Sequence, residues 1–226
     1  MRYRLLCCSD THGDAPPAMD DENAAAWLHA GDLYDGPSVL ANDEPPLPGD
    51  PIAEVFLQWS RARRAPVYAV HGNHDVADPY GWFTAVTEID GRVERLGDDL
   101  LLVGVGWHGQ AYVEMPGEGD LEMVCERAKR QLRRLATPRD RIVLMTHYPP
   151  LSPGLFPPRI GARADSASES IARLVNELKP ILIVQGHEHR WAGLIGRTNS
   201  SLVINPGRKG MVAVVDTDED HAEIEP

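Results

Sequence analysis

The sequence predicts an α/β fold with substantial parallel sheet, and three observations carry that prediction. Short aliphatic and β-branched runs recur along the chain, amphipathic helical patterns fall between them, and no repeat of 20 to 50 residues or low-complexity linker divides it. With 226 residues, one domain spanning 1–226 is expected. A composition of 42% hydrophobic and 25% charged residues is that of a globular protein and excludes whole-chain disorder or a fibre.

The strand-like runs are Leu5 to Cys8, Trp27 to Ala30, Val67 to Val70, Leu100 to Val105, Ile142 to Met145 and Ile181 to Val184. Between them, apolar residues at i, i+3, i+4 and i+7 mark three helices. These are Ile52, Val55, Phe56 and Trp59, then Leu121, Val124, Cys125 and Ala128, then Ile171, Leu174, Val175 and Leu178. Ser166 and Glu169 predict a capping box for the last helix, and Pro180 ends it. Two long segments, Asp35 to Asp50 and Tyr148 to Ala164, read as functional rims.

The formal charge of -12 opposes extended contact with nucleic acid or an anionic membrane. Cys7, Cys8 and Cys125 form neither a C-x-x-C pair nor a disulfide framework, which fits a reducing compartment. Neither a signal segment nor a run of ~20 apolar residues is seen, so a cytoplasmic protein is expected.

The chemistry lies just past the strands. Asp10-Thr11-His12, Gly31-Asp32, Gly72-Asn73-His74-Asp75, Thr146-His147 and Gly186-His187-Glu188-His189 each follow an apolar run. Parallel strands bring such ends to one sheet edge. In an extended segment Asp10 and His12 would point to one side, as would His187 and His189, so that each pair could grip one ion. Carboxylate, amide and imidazole donors together suit Mn, Fe, Co, Ni or Zn, whereas calcium would take oxygens throughout. The donors are too many for one tetrahedral ion. They suit two divalent ions sharing an aspartate, the usual equipment for displacement at phosphorus.

In order and spacing, these five blocks resemble the calcineurin-like metallophosphoesterase superfamily, with its pattern D-x-H, G-D, G-N-H-D/E, H and G-H-x-H. Asn205-Pro206-Gly207 is similar to the turn that often follows the last block. The resemblance implies two face-to-face mixed sheets flanked by helices. It implies that Asp10, His12 and His189 hold one metal, that Asn73, His147 and His187 hold the other, and that Asp32 bridges them. A metal-bridging hydroxide would then hydrolyse a small-molecule phosphate ester, a nucleotide among the candidates. Asn73 and His74 would contact the phosphate, His74 would protonate the leaving oxygen and Asp75 would orient the His74 ring. Gly31 and Gly72 would let the backbone pass close to the metals.

Several residues read otherwise. His29 and His71 are expected to support the ligand turns and His221 to be solvated in an acidic tail, while for His108 a place at the substrate rim is the minority reading. Gly104 to Gly109 satisfies G-x-G-x-x-G without opening a helix, so a dinucleotide site is not expected. Tyr34, Tyr80, Trp82, Phe83, Trp107, Tyr148 and Phe156 are expected to cover the core edge. Arg127, Lys129, Arg130, Arg133 and Arg134 read as a solvated face or partners of acids. Scaffold members of the superfamily lack ligands or the catalytic histidine, and none is missing here; a non-catalytic metal-binding module is the alternative reading. The repair nucleases carry basic surfaces and further domains, neither of which is evident.

Overall fold

The computed structural model describes residues 1–33, 51–75, 86–107, 115–151, 167–198 and 200–225. In chain order the elements are β1 (Arg2–Cys8), β2 (Ala26–His29), α1 (Pro51–Arg61), β3 (Val67–Ala69), β4 (Val86–Glu88), β5 (Val93–Arg95) and β6 (Leu100–Val105). Next come α2 (Glu118–Leu135), β7 (Arg141–Thr146), α3 (Glu169–Leu178), β8 (Leu182–Gln185), β9 (Leu194–Thr198), β10 (Ser201–Asn205), β11 (Met211–Asp216) and β12 (His221–Ile224).

Two mixed six-stranded sheets result, ordered β12-β11-β1-β2-β3-β4 and β5-β6-β7-β8-β10-β9. Strands β1 to β4 run parallel to their neighbours, as do β6, β7, β8 and β10, while the outer pairs β1/β11, β11/β12, β5/β6 and β9/β10 are antiparallel. Alternation along the strands then sorts the core into layers. Leu5, Cys7, Ala26 and Leu28 of the first sheet face Leu100, Leu102, Val143, Met145, Leu182 and Val184 of the second. The opposite faces are covered by helices. Leu6, Cys8, Trp27 and Val67 pack under Phe56 and Trp59 of α1, and Leu101, Val103, Leu144 and Ile183 pack under α2 and α3. This is the face-to-face architecture with flanking helices, and it explains why the strand runs are apolar on both faces.

Two expectations change, and a third resolves between its alternatives. The capping residue of α3 is Ser168, whose hydroxyl accepts from the Ile171 amide at 3.2 Å. Glu118 at the start of α2 accepts from the Glu169 and Ser170 amides, both at 3.0 Å, so the free amides of α3 are met from a neighbouring helix and a capping box has no work left. Ser166 lies outside the described residues. Replacing Ser168 by Ala should cost about 1 kcal/mol, or roughly 2–4 °C in Tm, read by thermal and urea unfolding. Second, the acidic tail is no solvated appendage: His221, half-buried, opens edge strand β12, with Asp216 opposite it on β11. Third, Lys129 of the basic helix face pairs with Glu126 at 2.5 Å and Glu177 at 2.8 Å, which is the acid-partner reading. The three cysteines are free and buried.

Candidate metal centre

Five strand ends meet at one edge of the sandwich. Cys8 is in register with His29, and His29 with Ala69, in the first sheet; Thr146 is in register with Gln185 in the second. The turns beyond them carry the donors. Asp10 and His12 are not two residues apart on an extended strand, as the sequence suggests. Strand β1 ends at Cys8, and Asp10 (φ 54), His12 (φ 47), Asp32 (φ 55) and His187 (φ 68) all adopt left-handed backbone. His189 opens a short 3-10 turn, His189–Trp191. Such conformations cost roughly 1 kcal/mol or more per side-chain-bearing residue and persist where surrounding bonds fix them. Here the Asp10, His12 and Gly13 amides donate to the Gly31, Asp32 and Leu33 carbonyls at 2.9, 3.1 and 2.7 Å, lashing the first two ligand turns together.

The side chains converge in two groups that share Asp32. Asp10, His12, Asp32 and His189 form one, and Asp32, His147 and His187 the other. In the first, His12 Nε2 lies 2.9 Å from His189 Nε2 and 3.8 Å from Asp32 Oδ2, and His189 Nε2 lies 3.4 Å from Asp10 Oδ1. In the second, His147 Nε2 is 3.3 Å from Asp32 Oδ2 and 3.3 Å from His187 Nδ1. Asn73 Oδ1 joins it, 2.9 Å from His187 Nδ1 and 3.3 Å from His147 Nε2. Donors bound about 2.0–2.2 Å from one ion lie roughly 3.0–3.4 Å apart, and most of these separations are close to that range. The donor set therefore fits divalent cations of the borderline type.

Neighbouring bonds aim the donors. The His147 Nδ1–H donates to the Ala30 carbonyl at 2.8 Å, which leaves Nε2 for a ligand. The His187 amide donates to Asp10 Oδ1 at 2.9 Å, and the His74 amide to Asp32 Oδ1 at 2.9 Å. Asn205 Nδ2 donates to the Glu188 carbonyl at 3.1 Å, so the Asn-Pro-Gly turn steadies the last ligand loop. Gly31 sits at φ +86, with the His147 ring where a Cβ would project; at Gly72 a Cβ would fall 2.7 Å from His147 Nε2 and against Asp32 Oδ1. Gly72→Ala should keep the fold yet lower metal affinity by about 10–100-fold, measured by manganese titration.

The buried carboxylates and imidazoles of the centre shift one another's titration. Burial opposes ionisation of Asp32, but the His147 charge and hydrogen bond and the His74 amide hold its carboxyl well below the usual range. Burial likewise disfavours an imidazolium at His147, yet Asp32 and Asp10 raise it to about 9. Burial and the nearby His147 charge push His187 down to about 4.

His74 is half-buried, its ring edge-on to His12 at 4.7 Å between centroids. The sequence has Asp75 orienting that ring. The Asp75 carboxylate accepts backbone amides, those of Asp32 and Gly72 at Oδ2, 2.9 and 2.8 Å away, and that of Leu33 at Oδ1, 2.8 Å away. Asp75 thereby ties the two ligand loops together, and its burial beside Asp32 raises its carboxyl to about 6. His29 supports the first turn, its Nε2 lying 3.1 Å from Thr11 Oγ1, and His71 supports the third through Asp90 at 2.5 Å. Asp90 itself was not visible as a functional residue, since nothing in Ile89-Asp90-Gly91 marks it. Tyr148 covers the core edge, its ring 5.0 Å from His147 and 5.3 Å from His187. His108, Tyr34, Tyr80, Trp82, Phe83 and Phe156, the Asp35 to Asp50 segment and most of Tyr148 to Ala164 lie outside the described residues.

Two paired mixed sheets carry clustered histidines and aspartates on one edge, in groups that could hold metal ions. The family model for calcineurin-like phosphoesterases matches residues 3–191, and the chain belongs to that family. No curated protein matches the chain significantly. Among solved structures, one from Thermus thermophilus is 17% identical at a TM-score of 0.62, covering 100% of this chain and 99% of its own. The phosphopantetheinyl hydrolase PptH of Mycobacterium tuberculosis is 15% identical at a TM-score of 0.57, covering 91% of this chain and 89% of its own. A 5'-nucleotidase precursor, also from Thermus thermophilus, is 13% identical at a TM-score of 0.54, covering 100% of this chain and 53% of its own. At these identities the likeness is one of fold.

Proposed function

We propose that this protein hydrolyses phosphate esters of small molecules, nucleotides among the candidates, at a dinuclear centre. The observation that carries the reading is Asp32, 1% exposed and shared by both donor groups. Asp10, His12 and His189 would hold one divalent ion, Asn73, His147 and His187 the other, and Asp32 both. Manganese, iron, zinc, cobalt and nickel all suit these donors. When bound, such a pair supplies an acidified water as nucleophile and neutralises charge building on the phosphoryl oxygens.

The chain's own residues do the rest. Asn73 and His74 contact the phosphate; the His74 ring, at the half-buried mouth, donates a proton to the departing oxygen. Asp75 fixes His74 through the turn that both occupy. A small substrate is supported by the net charge of -12, which disfavours long polyanions. A cytoplasmic setting is supported by three buried free thiols; among the described residues no helix is long and apolar enough to cross a membrane.

The test is elemental analysis of the purified protein together with a substrate screen. Two metal equivalents, with turnover of nucleotides, cyclic nucleotides, phosphopantetheinyl esters or p-nitrophenyl mono- and diesters, would bear the reading out. Two equivalents without any turnover, combined with a protein partner held at the rim, would replace it with a scaffold.

A further inference from the structure

We infer that Asp90 is a positioning residue for the second half of the centre, acting through His71; the inference rests on the dinuclear reading above. Asp90 lies in the turn between β4 of the first sheet and β5 of the second, where the chain crosses between the layers. Its carboxylate grips His71 twice, Oδ1 accepting from the His71 amide at 3.1 Å and Oδ2 meeting His71 Nδ1 at 2.5 Å. Two bonds from one buried carboxylate fix both the backbone and the ring of a residue, leaving it little freedom to rotate. His71 immediately precedes Gly72 and stands two residues before Asn73, the neutral ligand of the second group. The position of that amide oxygen therefore descends from the Asp90 clamp.

The clamp is itself anchored on three sides. Arg127 of α2 donates to the Asp90 carbonyl at 2.5 Å, and the Asp90 amide donates to Glu88 Oε1 at 2.5 Å. The Trp107 amide donates to the His71 carbonyl at 3.3 Å, and the Tyr148 hydroxyl donates to the Trp107 carbonyl at 3.2 Å. Since the Tyr148 ring packs on both His147 and His187, one connected set of contacts runs from α2 to three ligands of the second group. Towards the first group the same turn connects one step further away, through Asp75, whose Oδ2 accepts the Gly72 and Asp32 amides at 2.8 and 2.9 Å, and Asp32 is shared by both groups. The effect should therefore fall chiefly on the second half-site. Gly106 lets this happen, because a Cβ there would fall 2.5 Å from the His71 amide nitrogen.

His71, Glu88 and Asp90 also offer donors within 4.8 Å of one another. Their mutual bonds, and the amide bond to Asp90, give them the work of a clamp, and an ion there is an outcome that the test can show.

The experiment titrates manganese into the full-length wild type, Asp90→Ala, His71→Asn and His71→Gln, following bound equivalents and the low-temperature EPR signal of an exchange-coupled pair. Wild type should bind two equivalents and show that signal. Asp90→Ala should loosen the second equivalent by about 10–100-fold, more than the first, and lose the coupled signal. His71→Asn places a donor near the position of Nδ1 and should resemble wild type, whereas His71→Gln, which mimics Nε2, should resemble Asp90→Ala. A residue needed only for packing would not rank Asn above Gln. Equal affinity for both equivalents in Asp90→Ala, His71→Gln matching His71→Asn, or a third equivalent that disappears with Asp90 would overturn the inference. If Asp90→Ala fails to fold, the two His71 variants decide. A wild type that binds only one equivalent fails at the dinuclear reading, and takes the inference with it.

Discussion

Asp32→Asn is expected to leave the fold intact and to lose the metal pair on dialysis, with kcat/KM on p-nitrophenyl phosphate falling by about 10³ or more, equivalent to roughly 4 kcal/mol of transition-state stabilisation. The shape of the side chain is conserved, so packing should survive. The electrostatics should not. Asp32 uses Oδ1 to accept the His74 amide at 2.9 Å and turns Oδ2 to His147 at 3.3 Å and His12 at 3.8 Å. An asparagine must put its amide nitrogen at one of these two places. Facing the donor groups, it presents N–H bonds to the volume a cation needs; flipped, it sets a donor against the His74 amide and leaves both unsatisfied. Either orientation also removes the one negative charge common to both groups. Unchanged metal content after dialysis would sink the shared role of Asp32.

How the centre could be read in advance follows from where its information is stored. The donors are written in the chain because each must be Asp, Asn or His and must directly follow a strand. Six buried strands were legible too, since β1, β2, β3, β6, β7 and β8 lie in the interiors of the sheets and carry continuous apolar runs. The remaining six were not. β4 and β5 are three residues long, β9 to β12 cluster at one end of each sheet, and β12 carries Glu223 and His221 on an edge where polarity masks a strand. Local geometry was the other loss. Alternation of Asp10 and His12 reads as an extended pair, and only the long-range bonds to Gly31, Asp32 and Leu33 reveal the left-handed turns that actually aim them. Asp75 and Asp90 show the same limit from the acceptor side. A buried carboxylate that gathers backbone amides from two loops, as Asp75 does, or grips one distant histidine, as Asp90 does, carries no local sign of those partners.

His74→Ala should separate proton donation from metal holding, because the His74 hydrogen bond to the shared Asp32 comes from its backbone amide. The amide that donates to Asp32 survives any substitution except proline, and the ring meets His12 edge-on at 4.7 Å. Both metal equivalents should therefore remain. With the ring gone, no ring N–H stands at the mouth to protonate the departing oxygen. Esters of poor leaving groups should lose about 10²–10⁴-fold in kcat, the usual worth of a general acid, while a nitrophenolate, which departs without a proton, should lose far less. Plotting log kcat against leaving-group pKa for a series of aryl and alkyl esters makes the comparison quantitative. A steeper slope in the variant is the outcome a general acid requires. Parallel lines, with equal loss on every ester, would instead mean that the ring helps hold the phosphate and that the proton comes from elsewhere.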